Sequence, residues 1–311
     1  MDKIKILSGT TSWELKEKIC ENLAVEPTKA EVSRFADGEI RIQIKENIRG
    51  CDVFIVQSTH PPSDNLMELL LLIDAALRAS AKRITAVIPY FGYGRQDRKD
   101  APRVPISAKL VANLIQCAGA HRVLTCDLHS DQIQGFFDIP VDNLYAFPVF
   151  RDYFGTLPRD KFTVVSPDVG GTNRARAFAK RLGNLPLALI DKRRPSPNMA
   201  EVMNIIGEVE KRNLLIVDDL IDTGKTVAYG AKALKDKGAK SIWVCATHGL
   251  FSGNSKDLLE ESPIDKVIIT NTIPIPSHKK FKKLEILDIS SLLAEAIKRI
   301  HEEVSISELF V

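Results

Sequence analysis

The stretch Leu214-Leu-Ile-Val-Asp-Asp-Leu-Ile-Asp-Thr-Gly-Lys-Thr226 joins an apolar run to an acidic pair and then to a turn rich in hydroxyls. The consecutive aliphatic residues read as a strand buried on both faces. Such a strand delivers Asp218 and Asp219 to its carboxyl edge, and Asp222 to Thr226 form a tight turn into a helix. Open parallel sheets hold ligands beyond that edge. Backbone N–H groups at the helix start, with the Thr223 and Thr226 hydroxyls, suit a phosphate. The paired acids suit sugar hydroxyls and can influence a metal without ligating it. A solvated turn capped by Asp222 is the plain alternative.

Gly224-Lys225-Thr226 looks like the end of a nucleotide-binding P-loop, but the earlier glycine that motif requires is missing, because Asp219 occupies its place. The lysine alone therefore argues little. Similar strand-length runs recur at Asp52–Ser58, Arg83–Pro89, Arg122–Asp127, Phe162–Pro167 and Ser241–Ala246. Between them, segments near 65–80, 105–118, 171–182 and 226–237 have helical composition. Apolar runs alternating with helices predict an α/β chain with a mostly parallel sheet covered by helices.

An imperfect repeat predicts two such units. Gly119-Ala-His-Arg-Val-Leu-Thr-Cys126 leads to His129, and Gly238-Ala-Lys-Ser-Ile-Trp-Val-Cys245 leads to His248. Both read as a glycine turn after a helix, then a strand, then a polar loop. A chain of 311 residues also suits two domains. We place them at 1–146 and 147–311, with Phe147–Lys161 as a short structured crossover. From Leu292 an amphipathic helix leads to an apolar C-terminal segment, whose last residues return to the first domain or meet another subunit.

Lys plus Arg number 43 against 40 Asp plus Glu, with no basic tail, so bulk charge supports neither nucleic-acid nor membrane partners. MDKIKILSG lacks a signal-length apolar core, and the apolar helix around Leu66–Leu77 is too short to span a bilayer. The five cysteines are dispersed without CxxC spacing, which predicts buried, reduced thiols and a cytoplasmic protein.

Several separated blocks then combine: Arg34-Phe-Ala-Asp-Gly-Glu39, Pro89-Tyr-Phe-Gly-Tyr-Gly-Arg-Gln-Asp-Arg-Lys99, Asp127-Leu-His129, Ser166-Pro-Asp-Val-Gly-Gly171, Asp191-Lys-Arg-Arg-Pro195 and the 214–226 loop. The last resembles the phosphoribosyltransferase-like superfamily. In their order and spacing, the blocks together resemble the class I ribose-phosphate pyrophosphokinases over nearly the whole chain. That resemblance implies two similar phosphoribosyltransferase-like domains, each with a mostly parallel central sheet flanked by helices. It also implies magnesium-dependent transfer of the β,γ-diphosphate of ATP to the C1 hydroxyl of ribose 5-phosphate.

The same resemblance implies roles. Phe35, Asp37 and Glu39 recognise adenine from a neighbouring subunit, with ordinary core packing of Phe35 as the competing reading. Arg95, Gln96, Asp97 and Lys99 extend the ATP region, unless they form only a solvated rim. His129 contacts the magnesium carried by ATP, directly or through water, although magnesium prefers oxygen. Asp168 is a second magnesium-associated position, beside Gly170 and Gly171 for diphosphate; capping the next helix is its plainer role. Asp218, Asp219, Asp222, Thr223, Gly224, Lys225 and Thr226 hold ribose 5-phosphate. Lys192 and Arg194 form the catalytic basic pair on a mobile loop, against a merely solvated basic loop.

Two departures stand out. Many relatives have Ala-Gly where this chain has Gly224-Lys225, so Lys225 either tightens phosphate binding or faces solvent. Gly9-Thr-Thr-Ser12 replaces a commoner Gly-Asn pattern. The resemblance further implies a homohexamer with a shared nucleotide site. It also implies ADP and inorganic phosphate as effectors near Arg49, Ser305, Ser307 and Phe310, against a solvated terminal segment. A phosphoribosyltransferase and an inactive regulatory paralogue are the competing functions; the intact Asp191-Lys-Arg-Arg194 block weighs against the latter.

Overall fold

The computed structural model describes residues 3–155, 161–193 and 202–310. The chain divides into two compact units: 1–146 with 272–274 and 288–311, and 147–271 with 275–287.

In unit 1 five parallel strands lie in the order β1 (Ile4–Ser8), β4 (Asp52–Val56), β5 (Arg83–Ile88), β6 (Arg122–Cys126) and β7 (Val141–Leu144). An antiparallel hairpin, β2 (Ala30–Arg34) and β3 (Ile40–Ile44), stands apart from them. Residues of β4 are buried along its whole length, as expected of a strand covered on both faces. Val53 and Ile55 join Ile84, Ala86 and Ile88 in a core closed by α2 (Asp64–Arg78) and α3 (Ser107–Ala118). The strand period of two turns Phe54 and Val56 away from that core. Helix α1 (Trp13–Leu23) packs against β1 and β4 and also against α8 (Ser290–His301).

The returning part of the chain is longer than a tail, because residues 288–311 as a whole belong to unit 1. Leu293 and Ile297 of α8 are fully buried, and an amphipathic helix is stable only where such a face is covered. Its carboxyl end is fastened by charge. Arg83 Nε donates to Asp52 Oδ1 at 2.9 Å, Arg83 Nη2 donates to the Ile300 carbonyl at 2.9 Å, and His301 Nδ1 lies 2.9 Å from Asp52 Oδ2. Asp52 is buried, so its removal leaves a guanidinium and an imidazole without their shared anion. Asp52→Ala is expected to destabilise unit 1 by about 3 kcal/mol, read as a lower denaturation midpoint; an unchanged midpoint would refute this account of the fastening.

Among the described residues, unit 2 carries seven strands in the order β10 (Val202–Ile206), β9 (Leu187–Arg193), β8 (Phe162–Ser166), β11 (Asn213–Ile221), β12 (Ser241–Gly249), β13 (Lys266–Thr270) and β14 (Leu284–Leu287). Only β10, at one edge, is antiparallel to its neighbour. On one face α6 (Lys225–Asp236) and α7 (Ser255–Glu261) close a core of Ile190, Leu214, Ile216, Ile242 and Val244. Helix α6 approaches closely because position 230 is glycine; a Cβ there would stand 2.8 Å from Ile190 Cδ1. Of the segment expected as a crossover, Phe147–Phe154 form the helix α4, packed within unit 2, while 156–160 lie outside the described residues. Its Phe147 and Phe150 rings meet Phe178 of α5 (Thr172–Arg181), and Phe154 meets Trp243. That aromatic cluster explains why the segment is ordered as part of a domain.

The cysteines are free thiols, four buried and Cys117 exposed on α3. Cys117 departs from the expected burial because it lies on the outward side of an amphipathic helix. Among the described residues no helix is long and apolar enough to cross a membrane.

Candidate active site

Strand order separates the two units chemically. In unit 1 the parallel strands follow one another in a single direction, so the sheet has no reversal. In unit 2 the chain runs from β8 outward to β9 and β10, then returns to β11 on the other side of β8. Loops leaving β8 and β11 therefore diverge, opening a crevice at the carboxyl edge where open α/β sheets take ligands.

Register puts the candidate residues on that edge. Ile216 pairs with Val165, so Asp218 and Asp219 lie level with the start of the loop after Ser166. Strand β11 continues past the acidic pair to Ile221 and then enters the turn. Leu189 pairs with Ser166, so Lys192, three residues farther along β9, extends past the same edge by about 10 Å. Lys192 was expected on a loop; its backbone instead pairs with Met203 in the β9–β10 ladder. Arg194 lies outside the described residues.

In the first loop, Ser166 Oγ donates to the Asp168 carbonyl at 2.7 Å, and the Gly171 amide donates to Asp168 Oδ1 at 2.8 Å. Asp168 thus shapes the loop before α5, although the N-cap of that helix is Gly171 and no side chain caps it. Gly170 is exposed, while a Cβ at Gly171 would come within 3.1 Å of Ser166 Oγ. In the second loop, Gly224 adopts φ +73°, and a Cβ there would crowd the Leu259 side chain at 3.1 Å. Asp222 is half-buried, whereas Thr223, Lys225 and Thr226 are exposed at the start of α6, available to a bound anion.

Between the loops sits a side chain that the sequence did not single out. Arg174, on the first turn of α5, places Nη1 3.0 Å from Asp219 Oδ1 and 3.8 Å from Asp218 Oδ1. Asp219 is 3% exposed, and its amide donates to Asp218 Oδ1 at 2.9 Å. Burial, and then the neighbouring Asp219 carboxylate, push the Asp218 carboxyl well above the ordinary carboxylate range, while Arg174 pulls it down.

Unit 1 arranges its candidates at its own carboxyl edge. Ile88 pairs with Thr125, so the 89–99 loop and the 127–130 loop leave neighbouring strands side by side. A Cβ at Gly94 would stand 3.7 Å from His129 Cβ, and Asp97 Oδ2 accepts from Gln132 Nε2 at 3.2 Å. Gln96 accepts from Ser107 Oγ through its side chain and from the Ala108 amide through its carbonyl, tying the loop to α3. Arg95, Lys99 and His129 are exposed.

Phe35 is 52% exposed at the tip of the hairpin, which settles it as a surface aromatic and not a core one. The turn is compact: the Phe35 amide donates to the Glu39 carbonyl, the Gly38 amide donates to the Phe35 carbonyl, and Gly38 has φ +97°. Asp37 Oδ1 accepts from the Glu39 amide at 3.0 Å. The Arg41 guanidinium lies 5.8 Å from the Phe35 ring centroid, and Arg34 anchors the tip to Asp64 of α2 at 2.6 Å. The hairpin is thus held by α2, and the 92–97 loop by α3 and the 131–136 turn.

Arg49 is exposed, with its amide donating to Asn47 Oδ1 at 3.0 Å. Ser305 and Ser307 are exposed and line a pocket of about 490 Å³ with Arg83 and Arg122. The backbone of Phe310 ends a short 3-10 turn over Ser307–Phe310.

Among the described residues no group of three or more His, Cys, Asp and Glu side chains is disposed to hold a metal. Magnesium needs no such cage, since it keeps several waters and binds through one or two carboxylates together with substrate phosphates. The half-buried Asp168 carboxylate beside the Gly170-Gly171 backbone fits that chemistry.

Residues 4–119 match the family described as the N-terminal domain of ribose phosphate pyrophosphokinase, and residues 192–311 match the phosphoribosyl synthetase-associated domain. A ribose-phosphate pyrophosphokinase from Nostoc sp. is 51% identical over 99% of this chain and 94% of its own length. One from Caldanaerobacter subterraneus is 53% identical over 99% of this chain and 98% of its own length. The crystal structure of a phosphoribosylpyrophosphate synthetase from Mycobacterium smegmatis superposes with a TM-score of 0.92 at 41% identity, covering 97% of this chain and all of that one.

Proposed function

The chain belongs to the ribose-phosphate pyrophosphokinase family and transfers the diphosphate of ATP to ribose 5-phosphate, giving 5-phospho-α-D-ribose 1-diphosphate and AMP, and we propose that its chemistry takes place at the carboxyl edge of unit 2. The observation that carries this placement is the reversal of strand order between β8 and β11, which gathers residues 168–171 and 218–226 around one crevice.

The 5-phosphate occupies the Asp222–Thr226 turn, where exposed hydroxyls and helix-start amides meet it, with Lys225 adding a positive charge. Asp218 and Asp219 accept from the ribose hydroxyls and fix the sugar. The C1 oxygen attacks the β phosphorus of ATP; a new C1–O–P link forms as the bond from β phosphorus to the α–β bridging oxygen breaks. The electron pair leaves with AMP, and the hydroxyl proton passes to solvent. Lys192 and Arg194 stabilise the charge that develops around the transferred group. His129 would contact the magnesium carried by ATP, and Asp168 would be a second magnesium-associated position; the ion would supply positive charge that neutralises the phosphates. The Gly170–Gly171 loop borders the diphosphate, with the Gly171 amide holding Asp168 Oδ1 in place.

Adenine stacks on Phe35, while Asp37 and Glu39 accept from its amino group; Arg95, Gln96, Asp97 and Lys99 line the nucleotide. The exposure of Phe35 supports a hairpin tip that serves a neighbouring subunit, in a homohexamer with shared nucleotide sites. Inorganic phosphate and ADP act as effectors at Arg49 and the C-terminal Ser305, Ser307 and Phe310. The pocket that Arg83 and Arg122 share with these serines supports an anionic effector. Free thiols agree with a cytoplasmic setting.

Two opposite kinetic signatures test the division of labour. Asp219→Asn raises KM for ribose 5-phosphate about tenfold with little change in KM for ATP. Phe35→Ala does the reverse by a similar factor, since base stacking is worth about 1–3 kcal/mol. Because Phe35 is exposed, its replacement leaves stability within about 0.5 kcal/mol. Steady-state kinetics with each substrate varied in turn reads both; equal effects on the two KM values would contradict the assignment.

A further inference from the structure

Arg174 belongs to no block that carries the resemblance, yet it is the cation nearest the acidic pair among the described contacts. Its Nη1 lies 3.0 Å from Asp219 Oδ1 and 3.8 Å from Asp218 Oδ1. It is rooted in α5, the helix that begins at Thr172, directly after the Asp168–Gly171 loop. The same helix turn therefore connects the proposed diphosphate loop to the proposed ribose acids. The cluster of Lys266, Tyr153 and Glu285, by contrast, closes on itself.

We propose that Arg174 is a positioning residue for the reaction: it holds Asp218 and Asp219 as an oriented anionic pair, so that both carboxylates accept from the ribose hydroxyls. This rests on the proposed role of the acidic pair. Two carboxylates on adjacent residues, one almost wholly buried, repel each other and favour sharing a proton. A shared proton turns one acceptor into a donor and removes a sugar contact. Among the described residues, the charged groups that act on Asp218 are Asp219 from its own strand and Arg174 from α5. On the other flank, His248 of β12 is in register with Leu220 and not with either acid. Burial and Asp219 favour the neutral form of Asp218, and the Arg174 charge opposes both.

Both contacts come from the one nitrogen Nη1, so the placement of that atom matters as well as the charge. A guanidinium presents several donors in a fixed plane, whereas an ammonium is a point charge on a flexible stem. Charge and orientation can therefore be separated by substitution.

The test is the pH dependence of kcat/KM for ribose 5-phosphate in wild-type protein, Arg174→Gln and Arg174→Lys, with titration of the free sugar phosphate common to all three. In Arg174→Gln the acidic limb moves up by about 1 pH unit or more, the usual effect of removing an opposite charge from beside a carboxylate. Arg174→Lys returns the limb towards wild type but raises KM for ribose 5-phosphate about tenfold, because a flexible ammonium does not keep the fixed placement of the guanidinium nitrogen. A side chain that only braced the fold would lower the yield of folded protein without moving the limb. An unmoved limb in folded Arg174→Gln overturns the proposal. Should that variant not fold, a wild-type KM in Arg174→Lys overturns it instead. Asp219→Asn separates the two layers: an unchanged KM for ribose 5-phosphate removes the acidic pair from ribose binding altogether. A raised KM there, with an unmoved limb in Arg174→Gln, removes only the role of Arg174.

Discussion

Alanine at Lys192 or Arg194 is expected to lower kcat by about 100- to 1,000-fold, with KM for either substrate changed only a few-fold. That is the usual effect of deleting one group that stabilises charge formed in the transition state. The transferred diphosphate gains negative charge as AMP departs, and cations placed there act more strongly on the transition state than on bound ATP. The register of β9 carries Lys192 past the edge on which Asp168 and Asp218 also lie. Replacing both residues together costs less than the product of the single losses if they act on the same charge. Single-turnover measurement of AMP release separates this from slow product release, and near-normal turnover in either single variant would remove it from the catalytic pair.

Gly92→Ala is expected to destabilise unit 1 by about 3 kcal/mol and to raise KM for ATP. A Cβ at this position would stand 2.0 Å from the Thr59 carbonyl oxygen and 2.9 Å from its carbonyl carbon, both backbone atoms. Neither strand end can yield easily, because the Thr59 amide donates to the Tyr90 carbonyl at 3.0 Å and the Gly92 amide donates to Thr59 Oγ1 at 2.8 Å. Any shift of the 92–97 loop also moves Gly94 away from His129. The nucleotide region therefore suffers with the fold. Denaturation and ATP kinetics on the same preparation read both effects; wild-type values would contradict the close approach.

How much of this was legible in sequence depends on the range of the interaction. The six strands marked by apolar runs, and the helices between them, are local features set by periodicity, and β4, β5, β6, β8, β11 and β12 follow them closely. The hairpin β2–β3 was read only as a chemical motif. The alternation of Ile40, Ile42 and Ile44 with Arg41 and Gln43 in β3 is a strand signal that the sequence reading passed over. The helix at α8 could be read from its apolar face, but the partner of that face, α1, lies more than 250 residues away. Likewise, the pairing of β8 with β11 joins strands separated by β9 and β10, so a ligand edge was legible from the 214–226 stretch but the strand beside it was not.

At the site, the acidic pair and the 222–226 turn were legible because consecutive residues make them. Arg174 was not, since its meaning depends on which strand α5 lies against. A signal did exist: an arginine on the first turn of the helix after Gly170-Gly171, on the side that must face the neighbouring strand. Phe35 shows the opposite limit. Its sequence fitted both a core ring and an exposed stacking platform, and only its position at the hairpin tip decides between them. The resemblance placed Lys192 on a loop, yet pairing with Met203 keeps its backbone in the ladder.

The most direct test of the account is the identity of the nucleotide released. Purified protein with magnesium, ATP, ribose 5-phosphate and inorganic phosphate is followed by phosphorus NMR, with AMP and ADP quantified by chromatography. Attack at the β phosphorus predicts AMP in equal amount to a new C1-diphosphate signal, and no AMP without the sugar. Sugar-dependent ADP, or AMP unaccompanied by that signal, would contradict it.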